Sequence, residues 1–311
     1  MDGGGAHRWR KGESNQRAPA GPLTFAAADE LFGRAERRIA LLARVRPDNL
    51  RAASAVWAAA LRRGARAAPT WRYAPAPDLA DLRRALAIAA RVLPAVGALG
   101  RLYALRAEEL ELEARLAENV GSPAFAELAR LRHPERRGQE HDRAGELATA
   151  WATLVASEPG PRHRSDDRRH PESLVSLLSR EIARLRLPLR LELRPDMQSR
   201  AACGDGVVFV CTGVSLRASE ARRIAAHELL GHALPRLAAR SHPLGLLRVG
   251  CARSSDDEEG RALHIEERSG LLDEGRRREL AWRHLAALWV AGGADAHDCV
   301  DRLRQFGCEL E

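Results

Sequence analysis

Apolar residues, chiefly Leu and Ala, recur at three- and four-residue spacing over residues 25–43, 49–63, 79–93 and 99–118. That period predicts four amphipathic helices in the first third of the chain. Pro47, the stretch 64–69 with Pro75 and Pro77, and residues 97–100 punctuate them. A polar stretch at 133–143 precedes another apolar segment, 147–155. Residues 158–171 combine Pro159-Gly160-Pro161 with a run of Arg, Asp and His, and read as a mobile linker. Past Ser173 an amphipathic helix is expected to about Arg184, and then the period shortens. Residues 189–193 alternate Leu with Arg and Glu, the pattern of a half-buried strand. The Val/Phe run 207–211, after the turn Gly204-Asp205-Gly206, predicts a second strand. A further helix is expected from Leu216, with Ser215 as its N-cap, to about Leu234, where Pro235 should end or kink it. Helices over 274–290 and 294–305 complete the chain. The fold class is α+β, mostly helical, with a small β-sheet beside the helix that ends near Leu234. No internal repeat is present.

This divides the chain into a disordered tail (1–22), an N-terminal helical region (23–157), the linker (158–171) and a second region (172–311), the two regions forming one compact unit. The tail is Gly-, Arg- and polar-rich and lacks the apolar core of a signal peptide. The most apolar region, 85–105, is interrupted by Arg91, Pro94 and Arg101 and is too charged for a membrane span. Five cysteines (203, 211, 251, 299, 308) form no Cys-x-x-Cys pair and do not suit a secreted disulfide framework. The expected location is therefore cytoplasmic.

The net charge of +8 and a pI near 10.1 raise the possibility of a nucleic-acid partner. Lys11 is the only lysine, so the positive charge is almost entirely Arg. Those arginines interleave with Glu and Asp, as in Arg106-Ala107-Glu108-Glu109, which predicts ion-paired, solvated helix faces and argues against nucleic acid.

The densest chemistry is His227-Glu228-Leu229-Leu230-Gly231-His232. Two imidazoles and a carboxylate on one helix suit a zinc hydrolase, whose familiar spacing puts the histidines at i and i+4. Here they stand at i and i+5. On an ideal helix i+4 leaves the side chains about 40° apart and i+5 about 140°, too far to share one ion from a straight helix. A π-bulge, kink or break between His227 and His232 is therefore predicted, and Gly231 eases it. A third ligand is needed. Asp256, Asp257, Glu258, Glu259 and His264 are all within reach by spacing, which does not choose among them.

From about Leu23 onward the chain resembles the tyrosine/tubulin carboxypeptidase family, which carries a His-Glu-x-x-x-His helix and a downstream Glu-Gly-Leu-Ala segment. These read here as 227–232 and Glu259-Gly260-Arg261-Ala262. Further similar positions are Arg46-Pro47-Asp48-Asn49-Leu50, Trp71-Arg72-Tyr73-Ala74-Pro75, Asp196-Met197, the turn at 204–208, Arg240-Ser241-His242-Pro243-Leu244 and Leu247-Arg248-Val249-Gly250. The resemblance implies a zincin-like metallopeptidase with His227, His232 and Glu259 as Zn²⁺ ligands, Glu228 as general base, and a peptide or protein C-terminus as substrate. Gly231 (commonly Thr in the family), Arg261 (Leu) and His264 (an aromatic) depart from the pattern, and the family's later Gly-rich, Thr-Lys-Asp-containing segment has no counterpart up to Glu311. For the substrate pocket, Arg248, Arg261, His242 and His264 are candidates by sequence proximity. Two other classes fit the same sequence: a metal-binding pseudoenzyme acting as a regulatory or interaction protein, and an Arg-rich nucleic-acid-binding helical protein.

Overall fold

A computed structural model describes residues 23–133, 139–155, 160–195, 197–204 and 206–308. The expected tail lies outside the described residues, as do Asp196 and Asp205 of the strand region. In chain order the helices of the first region are α1 (Phe25–Ile39), α2 (Leu41–Arg44), α3 (Leu50–Arg62), α4 (Ala80–Val92), α5 (Ala98–Glu118), α6 (Ala124–Arg132) and α7 (Gln139–Ala152). Thr24 caps α1 by accepting from Ala27 N–H at 3.2 Å, and Ala28, Leu31, Phe32, Ala35 and Ile39 form its buried stripe. The helix expected over 25–43 breaks at Ala40, which adopts a left-handed conformation (φ 42) and separates α1 from α2. Residues from α1, α4 and α5, with Leu246 from far downstream, form the first core.

The stretch read as a linker is organised differently where it is described. Arg162–Arg164 is strand β1, and it pairs antiparallel with β5 (Ser215–Arg217). Ser165 is fully buried; its N–H donates to Val214 O (2.7 Å) and its hydroxyl to Cys211 O (2.5 Å). The ladder partner lies some fifty residues away, so the polar composition of 162–165 hides a strand.

Ser173 caps α8 (Leu174–Arg184). A three-stranded sheet follows, in the order β2 (Arg190–Arg194), β4 (Val207–Cys211), β3 (Ala201–Gly204), with β2 and β4 parallel and β3 and β4 antiparallel. Val208 and Val210 face α8 and α9 (Ala218–Ala226) in the second core. Ser215 does not cap that helix, because it belongs to β5; Arg217 is the N-cap, and its N–H donates to Glu220 of the first turn at 2.8 Å.

The chain then runs through a π segment (His227–Ala233) into α10 (Leu234–Arg240), α11 (Leu246–Val249), α12 (Ser254–Arg268), α13 (Glu274–Ala291) and α14 (Ala296–Gln305). Pro235 does not end the helix. Leu234 N–H donates five residues back, to Leu229 O, and Pro235 sits in the first turn of α10, where a missing N–H costs little. Helices α7 and α13 share a small third cluster with Trp151, Trp282 and Trp289. No helix among the described residues is long and apolar enough to cross a membrane.

Candidate metal centre

The i, i+5 spacing is met by the π segment, which adds one residue per turn and brings His227 and His232 onto one face. Their Nε2 atoms lie 3.2 Å apart. Opposite them runs α12, and Gly231 makes the approach possible. A Cβ on Gly231 would stand 2.5 Å from Ala262 Cβ and 2.9 Å from Ala262 Cα. Gly231 therefore serves the contact between helices as well as the local distortion.

Glu259, one turn before Ala262, completes the group. Its Oε1 is 3.4 Å from His232 Nε2 and its Oε2 is 3.6 Å from His227 Nε2. A tetrahedral zinc ion with bonds of ~2.0–2.1 Å holds its donors about 3.3 Å apart. The observed separations are of that size, with each imidazole facing its own oxygen of the Glu259 carboxylate. Among the described residues, His227, His232 and Glu259 form the one group of three potential ligands that converges in this way. The imidazoles are nearly buried (13% and 10% exposed side chains), whereas Glu259 is 62% exposed. The group is thus buried on the imidazole side and exposed on the Glu259 side.

Each imidazole is backed by a carboxylate at its other nitrogen. His227 Nδ1 lies 2.7 Å from Glu266 Oε1, and His232 Nδ1 lies 3.5 Å from Glu258 Oε2. Carboxylates of this kind fix the ring tautomer and leave the Nε2 lone pair for a metal. Glu266 is fully buried and braced by Arg223 (3.4 Å) and Arg276 (3.2 Å). Arg236 donates to Glu258 (3.2 Å) and to Cys203 O (2.9 Å), while the Cys203 thiol donates to Glu228 O (3.1 Å), so β3 is tied to the π segment.

The surrounding carboxylates favour positive charge on His227. Burial works against a charged His227, but hydrogen bonds to Glu259 and Glu266 outweigh it and push the ring up to about 9. The bond to His227 holds Glu259 below the ordinary carboxylate value, and the bond to His232 does the same for Glu258. Burial would raise Glu266, yet the bond to His227 and the charges of Arg276 and Arg223 hold it down.

Glu228 is buried in the π segment directly after the first histidine. The four substrate-pocket candidates all lie on the surface. Arg261 and His264 are exposed on α12, about 160° and 140° around the helix from Glu259. Arg248 on α11 and His242 before it are also exposed. None of the four makes a hydrogen bond or ion pair to the ligand group among the described residues. Asp256 and Asp257 occupy the first turn of α12, where they complement the helix dipole. Sequence reasoning missed Glu266. The signal was its seven-residue separation from Glu259, which keeps both on the face of α12 that carries Ala262.

A family profile described as microtubule-associated tyrosine carboxypeptidase matches residues 59–309. That span includes the π segment, α12 and both C-terminal helices. Neither a curated protein nor a solved structure matches the chain.

Proposed function

Because the chain belongs to the microtubule-associated tyrosine carboxypeptidase family, we propose that it is a zinc-dependent metallopeptidase that trims the C-terminus of a peptide or protein. One observation carries the reading: two Nε2 atoms and a carboxylate spaced 3.2–3.6 Å apart. Those separations, the mixed N/O donor set and the solvent exposure of Glu259 fit catalytic zinc. His227, His232 and Glu259 would hold the ion. Bound zinc supplies Lewis acidity toward the scissile carbonyl and brings the pKa of water near neutrality. Glu228 is the general base: its carboxylate takes the proton of the attacking water and passes it to the departing amine nitrogen. Its buried position beside His227 limits competing solvent.

The test begins with metal content. Plasma mass spectrometry of the wild type beside Glu259→Ala and His232→Ala should give one equivalent of zinc in the wild type and a loss in both variants. Peptides of varied C-terminal residue are then incubated with wild type and Glu228→Gln. Shortening by one residue, slowed 10²–10⁴-fold by the substitution, is the expected result. No metal in the wild type after zinc is supplied would refute the hydrolase reading. Metal without cleavage of any peptide would identify a pseudoenzyme.

A further inference from the structure

Glu259 and Glu266 leave the same face of α12 two turns apart, and both reach His227 from opposite ends of its ring. Glu266 is the more constrained of the two. It has no solvent exposure, and its two oxygens divide their partners. Oε2 receives Arg276 Nε at 3.2 Å; Oε1 receives His227 Nδ1 at 2.7 Å, with Arg223 Nη1 at 3.4 Å and Arg276 Nη2 at 3.5 Å. The two guanidiniums are themselves nearly buried, with 8% and 10% of their side chains exposed.

A buried carboxylate with two arginines already has compensated charge, so stability does not call for a third partner. The short bond to His227 is therefore informative. The geometry points to Glu266 as the positioning residue of the metal site: it locks His227 as the Nδ1–H tautomer with Nε2 aimed at the ion, and Arg223 and Arg276 lock Glu266. This rests on the metallopeptidase reading. The opposite imidazole is held more loosely, since Glu258 stands 3.5 Å from His232 Nδ1 and is 21% exposed. The two histidines should then differ in how much the site depends on their backing carboxylates.

The test measures zinc affinity of the full chain by competition with a chromogenic chelator, for wild type, Glu266→Gln, Glu266→Asp and Glu258→Gln. Co²⁺ absorption of each protein reports the coordination geometry. Glu266→Asp keeps the charge for both arginines and withdraws the carboxylate by about 1.5 Å, one carbon–carbon bond. It therefore separates reach from charge and carries the test if Glu266→Gln fails to fold. The expected result is a 10–100-fold weaker zinc affinity for both Glu266 variants, with a shifted cobalt spectrum and a smaller effect for Glu258→Gln. A merely structural Glu266 would lower the melting temperature and leave affinity and cobalt spectrum unchanged; that outcome overturns the proposal. A wild type that binds no zinc refutes the metallopeptidase reading itself, a different and recognisable failure.

Discussion

Replacing Gly231 with Ala isolates the contact between the π segment and α12. Two effects oppose each other. Ala is the better helix former by about 1 kcal/mol, so an ordinary Gly→Ala change in a helix stabilises. Here the new methyl would sit 2.5 Å from Ala262 Cβ and 2.9 Å from its Cα. Carbon atoms settle at ~3.5–4.0 Å, so the two segments must part by on the order of 1 Å. Overpacking of this kind costs ~1–3 kcal/mol. The contact is to backbone as well as side chain, so the upper half of that range applies and the net loss should be about 1–2 kcal/mol. The displacement also acts on the donors, because Glu259 is three residues from Ala262 and must follow it away from both Nε2 atoms. Zinc affinity should fall at least about tenfold, equivalent to 1.4 kcal/mol. Urea denaturation of the metal-free protein and chelator competition give the two numbers separately. Gly231→Ala with Ala262→Gly should recover part of each, since one of the two close contacts disappears. A Gly231→Ala protein that is more stable than wild type and binds zinc equally well would refute the argument.

Two further outcomes concern buried polar contacts among the N-terminal helices. The Tyr103 hydroxyl donates to Asp29 at 2.9 Å; burial, then that bond and the Asp29 charge, push the phenol up to about 12. A raised folded-state value stabilises fully below the unfolded value near 10 and is lost as pH rises through about 12; alkaline difference absorbance should show this tyrosine ionising only with unfolding, and Tyr103→Phe should remove that part of the pH dependence. Glu109 joins Arg106 (2.6 Å) and Arg132 (2.8 Å) in a buried network, so Glu109→Gln should cost about 3 kcal/mol by urea denaturation, and an unchanged midpoint would show the network to be dispensable.

The parts of this structure governed by local periodicity were legible in the chain. Helices α3, α4, α5 and α8 fall within a residue or two of their apolar stripes, because each buries one face against a neighbouring layer. The π segment was legible for a sharper reason: two histidines that must share a face at i, i+5 exclude a regular helix. Strands β1, β3 and β5 were not legible. They are three or four residues long, too short for an alternation to register, and their pairing is decided by partners distant in sequence. Ser215 misled for a related reason, since a serine before an apolar run serves equally well as cap or strand residue. Among the acidic residues of α12, Glu259 stood out only through the family resemblance. The seven-residue spacing of Glu266 from Glu259 gives it the right face of α12, but its burial depends on Arg223 and Arg276 from two other helices, which spacing does not reveal.

At the start of α12, Arg253 N–H is held by both oxygens of Glu109 at 3.0 Å, and Arg132 reaches Ser255 at 3.3 Å. One end of the helix is thus moored to the N-terminal helices, while Ala262 leans on the π segment of the other half. Glu259 lies between the two moorings. If the halves slip, the carboxylate leaves the imidazoles before either half has melted. His227, His232 and Glu259 thus act as a latch that closes only when both halves are seated, and an ion held there would rivet them. A fragment beginning at residue 172 would keep both histidines and all of α12 and still lack the mooring that sets the latch.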